Sequence, residues 1–98
     1  MAGHWLHPAA ESEFAEAVDF YIRRAGGMIA RGYVAEVTRA LSRLEQNQQF
    51  GTPAKGGLRK LPLRRFPDSI VYRESNDGPR VYAIAHQSRR PDYWRQRT

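Results

Sequence analysis

The feature that most constrains this chain is a change of hydrophobic period near residue 50. Before it, apolar residues return every three or four positions. Ala10, Phe14, Ala17, Val18, Tyr21 and Ile22 form one such stripe, and Ala30, Val34, Val37, Leu41 and Leu44 form another. Both spacings put one apolar face on a helix. Pro8 suits a first helical turn, and Glu11, Glu13 and Glu16 lie near its positive end. The spacing predicts helices over about 8–25 and 28–48, with Gly26-Gly27 ending the first. So short a link makes an antiparallel hairpin. Its second helix should turn Arg31, Glu36, Arg39, Arg43 and Glu45 away from the core.

After the change, the pattern is that of strands. Phe50 to Gly57 reads as a loop, and Leu58 to Phe66 mixes apolar and cationic residues around Pro62, which suggests an edge or bulged strand. Ser69 to Glu74 is rich in β-branched and aromatic residues, and Asn76-Asp77-Gly78 signals a hairpin. Arg80 to His86 is nearly all apolar and reads as the most buried strand. Trp5-Leu6-His7 adds a short strand before the helices. The expected fold class is α+β: an N-terminal strand and an α-helical hairpin packed on a mostly antiparallel sheet, with a short basic C-terminal tail. At 98 residues, positions 1–98 should form a single domain.

Charge divides the chain at the same place. Residues 1–54 hold five Lys/Arg and six Asp/Glu, a balance of −1; residues 55–98 hold eleven and four, a balance of +7. The first part reads as scaffold. The second carries a basic surface suited to nucleic acid or an acidic protein. The chain has no cysteine, which removes disulfides and thiolate chemistry. No apolar run reaches the ~18 residues of a membrane span. Met1 to His7 lacks the basic start and apolar centre of a signal peptide, so a cytoplasmic protein is expected, with no membrane partner.

The basic surface culminates in His86-Gln87-Ser88-Arg89-Arg90-Pro91-Asp92-Tyr93-Trp94-Arg95-Gln96-Arg97. Arg, Tyr and Trp are the side chains that most often anchor interfaces. Tyr93 and Trp94 have a second use, folding back to cover the sheet, and Arg90 and Arg95 could form internal ion pairs. His86 can exchange protons near neutral pH, although a lone histidine at a strand end is more often structural. His4 and His7 have no cysteine or carboxylate cluster beside them to complete a zinc site. Gly26-Gly27 and Gly56-Gly57 punctuate the chain rather than cradle phosphate. No metal or cofactor is expected. Nucleic-acid binding without catalysis is permitted by the charge, but no recognition motif accompanies it.

Three blocks together carry a family resemblance: His7-Pro8-Ala9-Ala10 opening the first helix, Arg65-Phe66-Pro67 with Ile70-Val71-Tyr72-Arg73, and His86 to Trp94. The chain resembles, over essentially its whole length, the toxins of the RelE/ParE superfamily of bacterial type II toxin–antitoxin modules. The His, Arg, Pro, Tyr-Trp and Arg order of the tail is similar to the ParE-like branch. That resemblance implies a toxin that inhibits DNA gyrase by protein binding. It would be neutralised in a hetero-oligomer by a cognate antitoxin, ParD-like or other. The RelE-like alternative is a ribosome-dependent endonuclease of messenger RNA. On the first reading there are no catalytic residues, and Arg59, Lys60, Arg64, Arg65, Arg73, His86, Arg89, Arg90, Tyr93, Trp94, Arg95 and Arg97 meet target or antitoxin. On the alternative, Arg64, Arg73, His86 and Tyr93 supply cations and proton transfer.

Overall fold

The computed structural model describes residues 3–98; Met1 and Ala2, the first residues of the stretch that lacks the marks of a signal peptide, lie outside them. Strand β1 (Trp5–Leu6) leads directly into helix α1 (Pro8–Ala25). His7 is the N-cap of α1 rather than the end of the strand, since its Nδ1 accepts the Ala9 N–H at 3.0 Å. Pro8 follows as the first helical residue, where its missing N–H costs nothing. Gly26 alone makes the break, with φ of +91°, and helix α2 begins on its neighbour (Gly27–Gln46). α2 therefore starts one residue earlier and ends two residues earlier than the spacing predicts.

The sheet is five-stranded, in the order β1-β5-β4-β3-β2. Strands β2 (Thr52–Pro53), β3 (Arg59–Pro62), β4 (Asp68–Arg73) and β5 (Arg80–His86) form an antiparallel meander, and β1 pairs parallel to β5. β2 lies inside the stretch read as loop; two residues are too few for a period to register. β3 is shorter than expected. Beyond Leu63, the N–H groups of Arg64 and Arg65 turn from the ladder to the carboxylate of Glu36. The β4–β5 turn ends at Gly78, where φ is +102° and a Cβ would lie 2.1 Å from the Gly3 carbonyl oxygen, so only glycine fits.

A bulge in β5 settles which residues face where. Val71 pairs with Ala83 and Tyr72 with Val81, which leaves Tyr82 as the extra residue. Tyr82 and Ala83 consequently share one face although they are consecutive. Two cores result. Tyr33, Val37, Leu41, Leu44, Ile70, Tyr72, Val81 and Ile84 pack between hairpin and sheet. Leu58, Val71, Tyr82, Ala83, Ala85 and Trp94 pack on the other face.

The helix side is fastened by buried polar pairs. Glu36, expected on the solvent face of α2, is buried, and burial tends to raise its pKa. Hydrogen bonds from the Arg64 and Arg65 backbone and from the Arg65 guanidinium outweigh that and hold it below the usual carboxylate range. Tyr33, fully buried, donates to Asp68 Oδ2 at 2.6 Å. Burial, that bond and the Asp68 charge all push the Tyr33 phenol upward. The neutral phenol is thus favoured in the folded state, so its contribution is present below the ordinary tyrosine pKa of about 10 and is lost as pH rises above it. Tyr33→Phe should cost about 1–3 kcal/mol, because Asp68 is left buried without its donor. Urea denaturation at neutral pH measures this, and the same titration above pH ~10 should show a shallower alkaline loss in the variant.

Candidate protein-binding surface

The C-terminal tail does not extend from the sheet. It returns across the face opposite the helices and ends in a 3-10 helix, Tyr93–Arg97. Trp94 is 5% exposed and completes the second core there, with Lys60 Nζ 5.6 Å from its ring centroid. Asp92 enters this turn at φ of +64° and meets Lys55 at 3.3 Å.

What fixes the tail is Glu13 on α1. β1 pairs with β5 only as far as Val81, so the edge beyond it is open. Glu13 Oε1 accepts the Ile84 N–H at 3.0 Å, and Arg97 donates to the Tyr82 carbonyl at 2.9 Å. Arg97 also grips Glu13 bidentately, at 2.9 Å to each oxygen. Tyr93 donates its hydroxyl to Glu13 Oε2 at 2.5 Å, and Arg89 Nη1 stands 4.0 Å from the same oxygen. Two guanidinium groups lie over the Tyr93 ring, Arg89 at 4.1 Å and Arg97 at 5.0 Å from its centroid. Burial first, then the bond to Glu13 and its charge, push the Tyr93 phenol well above the ordinary tyrosine range. It stays protonated at neutral pH.

The sequence-selected residues therefore divide. Tyr93, Trp94 and Arg97 are committed to the fold. Arg59 is half-buried, bound to Glu74 at 2.9 Å and to the Gly51 carbonyl at 2.7 Å. Arg73, at the far end of β4, donates to the Gly56 carbonyl at 3.3 Å. Lys60 is half-buried beside Trp94. Arg64, Arg65, His86, Arg89, Arg90 and Arg95 are exposed. His86 Nδ1 accepts the Ser88 N–H at 3.0 Å and lies 2.7 Å from the Ser88 hydroxyl. Arg64 and Arg65 border a groove of about 600 Å³ between α2 and β3, with Arg39 and Arg43 opposite and Ala40, Leu61 and Leu63 beneath. Among the described residues, no group of three or more His, Asp or Glu is placed to hold a metal ion.

The four residues of a nuclease do not all converge, because Arg73 lies at the opposite end of the sheet from His86. Asp68 pairs with His86 while Arg73 pairs with Arg80. Five residues of strand separate the two ends, about 17 Å. Tyr93 is held on the β5 edge by Glu13, and Arg64 faces the α2 groove. Glu13 was not singled out by the sequence reading, although a signal existed. It is three residues after Ala10 and four before Ala17, inside the apolar stripe, where a carboxylate must find partners.

A helix hairpin on one face of such a sheet, a parallel N-terminal strand and a basic C-terminal tail define the α+β class of small type II toxins. Within it, the chain belongs to the ParE toxin family: the model described as "ParE toxin of type II toxin-antitoxin system, parDE" matches residues 6–91. A solved structure described as the chromosomal ParDE TA system from P. aeruginosa is similar, with a TM-score of 0.77 and 25% identity over 88% of this chain and 96% of that one. No curated protein matches. Among the described residues, no helix is long and apolar enough to cross a membrane.

Glu13→Ala should release the tail. Trp94 emission is expected to shift to longer wavelength in a Trp5→Phe background, with a stability loss of about 3 kcal/mol from the orphaned Arg97 and Tyr93. Unchanged emission would place the tail's hold elsewhere.

Proposed function

We propose that this ParE-family toxin arrests growth by binding DNA gyrase, and that a cognate antitoxin neutralises it by masking its basic surface. The observation that carries the reading is the division of the tail by Glu13. Tyr93, which a nuclease would need free, is spent together with Arg97 on holding the tail. Arg89, Arg90 and Arg95 are left exposed on a fixed support. Fixed, forked cations suit recognition of carboxylates on a large protein. The dispersal of Arg64, Arg73, His86 and Tyr93 weighs against the messenger-RNA endonuclease reading.

The antitoxin would bring an acidic segment that orders on binding. The groove between α2 and β3 supports this, since arginines line its rim and apolar side chains its floor. The protein would act in the cytoplasm, where its target lies.

Controlled expression with separate measurement of DNA and protein synthesis tests the target. Early loss of DNA synthesis, with inhibition of purified gyrase, is the expected result; early loss of translation with codon-positioned cuts would overturn it. Arg89→Ala/Arg90→Ala/Arg95→Ala should stay folded and inhibit gyrase at least about ten-fold less. Antitoxin affinity should fall as salt rises from about 0.05 to 0.5 M.

A further inference from the structure

The hairpin is longer than the core it covers. On α1 the last side chain packed against the core is Tyr21, and on α2 the first buried residue is Ala30. The hairpin tip around this turn carries Phe20, Ile22, Met28 and Ile29, which are 46%, 51%, 77% and 44% exposed. Four large apolar side chains on one ten-residue tip leave much of their surface to solvent, and none belongs to the core. Such a concentration on a small protein marks a contact surface.

The rim is cationic. Arg24 lies over the Phe20 ring at 5.3 Å, Arg23 pairs with Asp19 at 2.8 Å, and the Arg31 guanidinium folds back toward Gly27. Aromatic, Met and Arg side chains are those enriched in protein interfaces. The tip is also continuous with the tail. A cleft of about 420 Å³ runs from Phe20 and Tyr21 past Ile84 to His86 and Arg89.

We propose that the tip, Phe20 to Ile29, inserts as an apolar knob into an acid-rimmed pocket of the target protein, on the same side as the tail arginines. The proposal rests on the reading of this chain as a protein-binding toxin. A second copy fits less well, because to Arg23, Arg24 and Arg31 it would bring only Glu16 and Asp19, and Asp19 is already paired with Arg23. An anionic membrane fits less well too, because exposed Glu16 and Asp19 share this end of α1.

Ile22→Asp/Met28→Asp alters exposed positions only and should melt like the wild type. Its affinity for purified gyrase and its growth arrest should each fall about ten-fold or more. Arg24→Glu/Arg31→Glu should weaken binding and reduce its salt dependence. Wild-type affinity in both variants would overturn the knob while leaving the gyrase reading intact. If the wild type does not bind gyrase, that reading fails and growth arrest decides the knob. Arrest lost in folded variants sustains it for another protein target, and arrest retained overturns it. A wild-type dimer made monomeric by the aspartates would also overturn it. So would binding to phosphatidylglycerol vesicles that the aspartates abolish.

Discussion

A carboxylate with almost no access to water, Glu13, is the constraint on which the second half of the molecule depends. Its side chain is 10% exposed, and removing a charge from water costs several kcal/mol unless partners replace the hydration. Glu13 finds them on elements distant in sequence: the Ile84 N–H on β5, and Tyr93 and Arg97 on the tail. The arrangement satisfies two needs at once. β1 is two residues long and leaves the β5 edge open after Val81; Glu13 and Arg97 occupy that edge. A longer β1 would have displaced both.

The energetics show why the tail needs this carboxylate. Ordering Asp92–Thr98 costs conformational entropy, which the burial of Trp94, Tyr93 and the charged hydrogen bonds on Glu13 oppose. A 3-10 turn of five residues has little stability of its own. Glu36 and Asp68 repeat the device on the helix side, tying α2 to the β3–β4 loop and to β4. Three acidic side chains are thereby withdrawn from the surface, so the exterior is more basic than the sequence balance states. That excess falls where the groove and the tail lie.

Much of the fold was legible because it follows from periods and punctuation. The helix stripes, the hairpin at Gly78 and the buried strand all have local signals. The Tyr82 bulge does not, since an extra residue in an apolar strand leaves the apolar count unchanged while moving every later side chain to the other face. Glu36 was misplaced, and Tyr33 left out of the stripe, for a related reason. Reading α2 from Val34 and Val37 makes Glu36 a surface residue, whereas the stripe that packs runs Tyr33, Val37, Ala40, Leu44 and leaves Glu36 at its margin. In the tail, composition singled out the right block. Its sorting into buried and exposed residues depends on a partner 80 positions away from Tyr93.

That sorting bears on how the tail would work as a binding element. Free chain ends lose conformational freedom when they bind, and each rotamer-rich side chain immobilised subtracts about 0.5–1.5 kcal/mol from affinity. Here the backbone carrying Arg89, Arg90 and Arg95 is bracketed by the bond from Gln87 N–H to the Pro67 carbonyl on one side and by Trp94 and Arg97 on the other. Much of the ordering cost is met in folding, before any partner arrives. On the proposed reading, Glu13 would contribute to recognition without touching the partner, by holding the backbone from which the arginines project. The aromatic pair would have the same indirect part: Trp94 supplies the floor, and the Tyr93 ring supports the guanidinium groups of Arg89 and Arg97. On the proposed reading, the tail would serve as a binding surface because its largest side chains face inward.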